Sequence, residues 1–263
     1  MGSTRSDFVD CIHPLKDRMK FYDASKPPTD QPKNDAADPA RAVPQGFIDA
    51  MIVREAVFVQ EQGVALENEL DEDDDRSFHW VAYASIPVKQ TSPDLKPHDE
   101  KMETSRRTST STKVPVGTIR LVPPPHALHP GGKLETEVHK GNESYVKLGR
   151  LAVIKEFRKA GISKLLIETV LAFAREHPND LLPHFDPGML EAKKYEGAGV
   201  DFRGLVLVHA QTGVQKVWKK YGFDTDESMG SWDEEGIDHV GMWKRLDVSN
   251  ARRKSRAFLV GSP

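Results

Sequence analysis

The sequence predicts an α/β fold built on one sheet of mixed strand direction. Runs with helical and with strand-like periodicity follow one another in the order helix, strand, strand, strand, helix, strand, helix, strand. One run, GLVLVHA at 204–210, carries no charged residue and is rich in valine and leucine, which is typical of a central strand. The chain contains no internal repeat, and its polar stretches look like insertions into a single domain.

The first predicted element is a helix at 46–62, GFIDAMIVREAVFVQEQ. Its apolar residues recur at helical spacing, which indicates one buried face. They are Phe47, Met51 and Phe58 on one side, with Ile48, Ile52 and Val59 beside them.

Strands are then predicted at 77–85, 116–122 and 145–153 from their β-branched and aromatic residues. A helix follows directly at 162–177. The residues spaced to face a core on this helix are Ile162, Leu165, Leu166, Thr169 and Phe173.

After the central strand at 204–210, a short helix is predicted at 212–223 and a last strand at 237–246. Gly222 is placed to end the short helix, because glycine adopts the left-handed conformation of a helix C-terminus without strain.

The polar insertions lie at about 86–115, 123–144 and 178–203. We therefore expect one folded domain at 46–248 and a tail at 249–263. The N-terminal segment, 1–45, is expected to be largely flexible from residue 22, where proline, aspartate and alanine dominate.

Composition excludes several classes of function. A formal net charge of −3 provides no overall positive field, so a nucleic-acid partner is not expected. No apolar stretch reaches the roughly 18 residues that a membrane span needs, so no membrane partner is expected either.

The single cysteine, Cys11, fits a reducing compartment and predicts a cytoplasmic protein. The basic run at 251–256 leaves the nucleus as an alternative.

The segment 158–163 sits between a predicted strand and a predicted helix. That arrangement presents backbone N–H groups to an anion. Gly161 allows a ligand to approach the backbone closely, and Arg158 and Lys159 add positive charge at the same point. The alternative is structural: Gly161 would be an ordinary turn glycine and Ser163 a helix cap.

Other phosphate and catalytic motifs are missing from the sequence. There is no Gly-x-Gly-x-x-Gly, no Gly-x-x-x-x-Gly-Lys-Ser/Thr, no Gly-x-Ser-x-Gly and no His-Glu-x-x-His. The histidines of the loop at 123–144 (His126, His129 and His139) have irregular spacing, and we expect them to be exposed, with no metal site in the protein. The acidic run at 67–75 could attract a cationic amine or could be a solvated loop.

Two longer stretches carry a family resemblance. The stretch LGRLAVIKEFRKAGISKLLIETVL resembles motif A of the GNAT superfamily, the acyl-CoA-dependent N-acyltransferases. Its Gln/Arg-x-x-Gly-x-Gly/Ala loop falls on Arg158, Gly161 and Ser163, with serine in place of the usual last residue. The stretch HAQTGVQKVWKKYGF resembles motif B. REAVFVQEQGVALENELDEDD, HAQ and EEGIDHVGM are most similar to the ElaA-like branch, and the likeness covers most of 46–246.

The resemblance implies a GNAT-type, mostly antiparallel central sheet flanked by helices, with acetyl-CoA as the co-substrate. It implies that acetyl-CoA is bound by three groups of residues in this sequence. These are Leu151, Ala152 and Val153; Arg158, Lys159, Ala160, Gly161, Ile162 and Ser163; and Gln211 with Trp218.

The catalytic groups are less defined, because many superfamily members place a tyrosine where this chain has Trp218. An indole N–H is a poor proton donor. Tyr221 lies nearby in sequence as an alternative acid. Among the candidate bases Glu61, Glu69 and His239, we favour His239, because imidazole titrates near neutral pH.

The resulting prediction is an N-acetyltransferase acting on a primary amine of a small molecule or of a protein by direct transfer. An acyl-CoA-binding sensor with little or no turnover is the alternative, which Trp218 favours. The amine acceptor is left unidentified, and a homodimer is left open.

Overall fold

The structure is a computed structural model that describes residues 8–31, 42–87, 111–133, 135–182 and 202–248. The described part of the chain forms one eight-stranded sheet in the order β1-β2-β3-β4-β5-β8-β6, with β7 paired to β8. The strands are β1 (Val9–Ile12), β2 (Phe78–Pro87), β3 (Ser111–Val122), β4 (Tyr145–Val153), β5 (Leu205–Gln211), β6 (Asp224–Thr225), β7 (Ser231–Glu234) and β8 (Ile237–Arg245). Every pairing is antiparallel except that of β4 with β5. The predicted mixed, mostly antiparallel sheet is confirmed.

The parallel pairing of β4 with β5 is short. It joins Tyr145–Leu148 to Leu205–Val208, and beyond these residues β4 pairs with β3 and β5 with β8. The β3–β4 register shifts by one residue here, and Arg150 has a left-handed φ of 52°. Such a bulge bends its strand locally. The two central strands therefore separate after Leu148 and open a cleft inside the sheet.

Helix α1 (Gln45–Arg54) covers one face of the sheet and is followed by a π-helical turn at Glu55–Val59. The predicted helix at 46–62 is thus correct in position but not uniform. A π-helical turn rotates the following side chains relative to an α-helical pattern. For this reason Val57 is buried, whereas the predicted core residue Val59 is only partly buried.

Helix α2 (Ile162–Glu176) covers the opposite face. Its buried residues are Leu166, Ile167, Val170, Leu171 and Ala174. Leu165, predicted to face the core, is exposed, so the true buried face is rotated from the predicted one. At Gly117 of β3 a Cβ would lie 2.7 Å from the Ile162 side chain, so glycine allows α2 to pack closely on the sheet.

Three short strands, β1, β6 and β7, were missed, and helix α3 (Gln215–Lys219) is shorter than predicted. Strand β1 adds to the edge of β2, and Leu15 after it is buried. The expected flexibility from residue 22 does not hold for 22–31, where Gln31 is buried and donates to the backbone carbonyl of Asp23 at 2.7 Å. The segments 32–41, 88–110, 183–201 and 249–263 lie outside the described residues.

The loop histidines are not exposed, contrary to expectation. His129 and His139 are each 5% exposed and lie 3.2 Å apart, from Nε2 to Nδ1. Both rings contact Tyr145 and Trp243, and His126 stacks on Tyr145. The aromatic residues of β4 and β8 thus provide apolar partners that the irregular sequence spacing does not reveal.

Within the described ranges, no helix combines the length and the apolar run needed to cross a bilayer.

Candidate active site

A cavity of about 1050 Å³ occupies the opening between β4 and β5. Seven parts of the chain line it: the ends of these two strands, the end of β3, the acidic loop at 67–75, the β4–α2 loop, the π-helical turn with the residues after it, helix α3, and the turn between β7 and β8. The cavity therefore reaches from the N-terminus of α2 to the opposite side of the sheet.

The β4–α2 loop presents the start of α2 to this cavity. Gly161 has a φ of 84° and is the N-cap of α2, and no side chain forms a cap hydrogen bond. The predicted alternative, Ser163 as the cap, is therefore wrong. The Leu165 N–H donates to the Gly161 carbonyl at 3.0 Å, which leaves the N–H groups of the preceding turn without intrahelical partners. A Cβ at Gly161 would meet no atom within 4 Å, so the backbone here borders open space.

Arg158 is held by an ion pair at the mouth of the cavity. Its Nη1 and Nη2 donate to both carboxylate oxygens of Glu61, at 2.6 and 2.5 Å, and its Nε donates to the Val153 carbonyl at 3.0 Å. The hydrogen bond from Arg158 lowers the pKa of Glu61. Glu61 is therefore an ionised ion-pair partner, and both of its carboxylate oxygens are engaged by Arg158.

Gln62, the next residue, contacts the other side of the mouth. The Gln211 Nε2, at the end of β5, donates to the Gln62 Oε1 at 3.0 Å. Residues 61 and 62 thus bridge the ends of the two separated strands.

Trp218 of α3 forms part of the cavity wall. Its side chain is 4% exposed and packs edge-on against Phe223, with ring centroids 5.2 Å apart. Tyr221, one turn further along the chain, does not line the cavity. The geometry therefore gives Trp218 a packing role and keeps the Tyr221 hydroxyl away from the cavity.

Two histidines lie on the far side of the sheet from α2. His239 is nearly buried, lines the cavity, and its Nδ1 lies 2.8 Å from the Ile237 carbonyl. His209, at the end of β5, also lines the cavity, and its Nδ1 lies 3.1 Å from a Glu234 carboxylate oxygen. Sequence reasoning missed His209 as a site residue, although the HAQ stretch contains it and could have indicated it.

Residues 67–182 match the family model described as Acetyltransferase (GNAT) family. The chain carries a GNAT domain. The matched segment contains strands β2 to β4, the β4–α2 loop and helix α2. The protein is accordingly a transferase, and GNAT acetyltransferases use acetyl-CoA or another acyl-CoA as the donor.

Several solved structures resemble the GNAT domain and the chain around it. An acyl-CoA N-acyltransferase from Pseudomonas aeruginosa is 17% identical, with 90% of this chain and 98% of that chain covered, at a TM-score of 0.44. ElaA from Escherichia coli is 15% identical, with the same coverages and a TM-score of 0.43. A GNAT-family acetyltransferase from Staphylococcus aureus is 12% identical, with 76% and 92% covered, at a TM-score of 0.37.

Most of the predicted site residues line the one cavity. Those that line the cavity are Glu61, Leu151, Ala152, Val153, Arg158, Lys159, Gly161, Ile162, Ser163, Gln211, Trp218 and His239. Ala160 and Tyr221 do not line it.

The acidic run at 67–75 is only partly solvated: Glu67 and Glu72 are exposed, whereas two other carboxylates are buried. Glu69 and Asp74 are 2% and 0% exposed and pair with the fully buried Arg54 of α1. Arg120 of β3 donates to Asp74 at 2.8 Å. Burial alone would raise the pKa of Asp74, but Arg54 and Arg120 outweigh it and hold that pKa well below its usual range.

Arg150, the bulge residue of β4, joins the same network through Asp71 at 3.0 Å and Glu69 at 3.3 Å. The network ties α1, β3 and β4 to one loop beside the cavity. Glu69, which the sequence analysis considered as a base, therefore forms ion pairs with two guanidinium groups, those of Arg54 and Arg150.

Proposed function

We propose that this protein is an acetyl-CoA-dependent N-acetyltransferase that acts on a primary amine by direct transfer. The observation that supports the proposal most is the continuity of the cavity. The cavity extends from the N-terminus of α2, which has no side-chain cap, through the gap between β4 and β5. It ends at His209 and His239 on the opposite face of the sheet.

The donor would bind along the α2 side of the cavity. A pyrophosphate fits the N-terminus of α2, where free N–H groups and the helix dipole favour negative charge. Arg158 and Lys159 flank this position. Arg158 and Glu61 are both more than a third exposed, and because exposed ion pairs contribute little, a pyrophosphate can compete with Glu61 for the guanidinium.

The pantetheine arm would lie along the open edge of β4. Beyond Leu148 this edge has lost its β5 partner, so its backbone groups can pair with the amide groups of an extended ligand. This placement directs the thioester toward Leu151, Ala152 and Val153, where a backbone N–H can stabilise the oxyanion.

The reaction then needs an amine on the far side of the thioester. The amine nitrogen bonds to the thioester carbon, the carbon–sulfur bond breaks, coenzyme A leaves as the thiolate, and the nitrogen gives up one proton. Holding the two reactants in one cavity supplies much of the acceleration in such a transfer. The primary-amine acceptor is part of the proposal, and its identity is left open.

A sensor that binds acyl-CoA without turnover is the second candidate. Trp218 supports it, since no tyrosine hydroxyl lines the α3 side of the cavity among the described residues.

Amine-dependent thiol release separates the two candidates. The chain is incubated with acetyl-CoA and a panel of alkylamines, amino acids and lysine-containing peptides, and free thiol and acetylated product are both measured. We expect release that depends on at least one amine, with matching product mass. Stabilisation of the protein by acetyl-CoA without any amine-dependent release would contradict transfer and favour the sensor.

A further inference from the structure

The far end of the cavity contains a carboxylate–imidazole pair that no motif assigned. The Glu234 carboxylate of β7 lies 3.1 Å from the His209 Nδ1 and accepts a hydrogen bond from the Trp232 indole at 2.6 Å. The Trp232 ring also packs edge-on against the His209 ring, with centroids 4.8 Å apart. Glu234 and Trp232 therefore hold the imidazole in a fixed orientation.

The position of His209 follows from the topology. Val208 is the last β5 residue paired with β4, so His209 is the first residue of β5 that borders the gap. Lys147, paired with Leu207, lies on the same face of the sheet, since side chains two residues apart on a strand share a face. His209 therefore borders the gap on the face of the sheet opposite α2, which is the side from which the amine would approach the thioester under the proposed function.

The hydrogen bond to Glu234 determines the tautomer of His209. Burial alone would raise the pKa of Glu234, but hydrogen bonds from His209 and Trp232 outweigh it and hold that pKa at about 2. An ionised carboxylate only accepts hydrogen bonds, so the His209 Nδ1 carries the proton and Nε2 carries the lone pair.

The His209 Nε2 is buried and has no hydrogen-bond partner among the described residues. Buried polar atoms normally have a partner, so an unpaired acceptor in a cavity wall suggests that a ligand supplies the missing donor. An amine N–H is such a donor.

The surroundings of His209 keep its ring neutral in the free protein. Burial, the charge of Lys147 and the nearby His129 lower the pKa of His209, Glu234 opposes them, and the resulting pKa is about 4. The lone pair is therefore available throughout the physiological pH range.

His239 lacks this arrangement. Its Nδ1 is engaged by the Ile237 carbonyl two residues away, so among the described residues no carboxylate forms a hydrogen bond with that nitrogen, although Glu234 interacts with the ring through its charge. A base oriented by an ionised third group is the recurrent arrangement in acyl transfer.

We propose that His209, positioned by Glu234, accepts the proton of the amine during acetyl transfer; this assignment rests on the proposed function. The Nε2 accepts a hydrogen bond from the amine and orients its lone pair toward the thioester carbon. As the carbon–nitrogen bond forms, the nitrogen becomes positively charged and acidic, and its proton passes to Nε2. The imidazolium is stabilised by Glu234 while the carbon–sulfur bond breaks and the thiolate leaves, and the proton is later released to solvent.

The test compares variants on an amine that the wild type acetylates. In His209→Gln we expect kcat to fall by about 10²–10⁴-fold, the usual contribution of a general base, with unchanged affinity for acetyl-CoA by calorimetry. Added imidazole should restore part of the rate of His209→Ala in a saturable manner, a response that a purely structural role would not produce. His177→Gln, at an exposed histidine of the α2 C-terminus, is the matched control and should retain the wild-type rate.

Glu234 is tested as a positioning residue. Glu234→Gln should lower kcat, because an amide cannot stabilise the imidazolium and can donate to Nδ1, favouring the wrong tautomer. Combined with His209→Ala, it should cause no further loss, since residues that act as one unit are not additive.

Three outcomes would overturn the inference. His209→Gln could retain a kcat within about threefold of wild type, well below the effect of a lost general base. Imidazole could fail to rescue His209→Ala while His239→Gln abolishes turnover, which would assign the proton to His239. A wild type without amine-dependent thiol release would overturn the proposed function together with this inference, whereas the first two outcomes leave the proposed function intact.

Discussion

Trp218 in the cavity wall contributes to the proposed transfer through its packing and not through proton donation. Trp218 occupies the position where the resembling family often has a tyrosine, and its indole is packed against Phe223 in the core. A thiol with a pKa of about 8.5 can leave as the thiolate near neutral pH. Proton donation at this position is therefore not required for transfer.

This reading of Trp218 is tested by a pair of variants that differ in one hydroxyl. Trp218→Tyr and Trp218→Phe should have kcat values within about threefold of each other and at or below wild type, because both lose packing volume and positioning dominates. Steady-state kinetics on one accepted amine measures the ratio. A kcat of Trp218→Tyr at least about tenfold above that of Trp218→Phe would show that a tyrosine acid accelerates the transfer. That result would contradict a purely packing role for Trp218.

At the scale of elements, the loop at 67–75 is held by buried ion pairs. The guanidinium of Arg54, on α1, pairs with Glu69 and Asp74 of this loop, and these carboxylates also contact Arg150 of β4 and Arg120 of β3. Removing one member of a buried pair leaves an unpaired charge, which costs about 3–5 kcal/mol. The walls of the cavity therefore depend on this network, of which Glu69, Arg120 and Arg150 line the cavity.

Asp74→Asn should accordingly destabilise the protein by about 3–5 kcal/mol at pH 7. Because the pKa of Asp74 is held well below its usual range, its contribution is complete above the unfolded-state pKa of about 3.9 and is lost as the pH falls through the folded-state pKa. The difference from wild type in denaturant unfolding should therefore shrink below about pH 4.

The matched control lies in the same acidic run. Asp73→Asn removes a partly exposed carboxylate that pairs with Arg76, and it should cost only about 0–1 kcal/mol. Equal effects of the two substitutions at pH 7 would show that burial of the Asp74 pairs does not determine stability.

Local patterns in the sequence predicted the elements better than the contacts between them. Strand β4 and helix α2 were predicted within one residue, because their periodicity and flanking residues are local signals. The Glu61–Arg158 pair joins residues 97 positions apart, and the His209–Glu234 pair depends on β7, a strand of four residues that has no clear periodicity. Such contacts follow from tertiary pairing, which no local pattern contains.

In the whole molecule, the proposed transfer depends on the place where the two central strands of the sheet stop pairing. The bulge at Arg150 ends the parallel pairing of β4 with β5, and the separated strands expose backbone edges between two helical layers. The N-terminus of α2 and the imidazole of His209 then face one continuous cavity from opposite sides. Every later step of the proposed reaction depends on donor binding at the start of α2.

The most direct test is the calorimetric titration of acetyl-CoA into the wild type and two glycine variants. Gly161→Asp places a carboxylate against the expected pyrophosphate and should weaken binding by at least about tenfold, equivalent to about 1.4 kcal/mol. Gly131→Asp, at an exposed glycine with a similar φ of 77° outside the cavity, controls for backbone strain and should bind as wild type does. Wild-type affinity in Gly161→Asp, or equal losses in the two variants, would contradict the placement of acetyl-CoA at the start of α2.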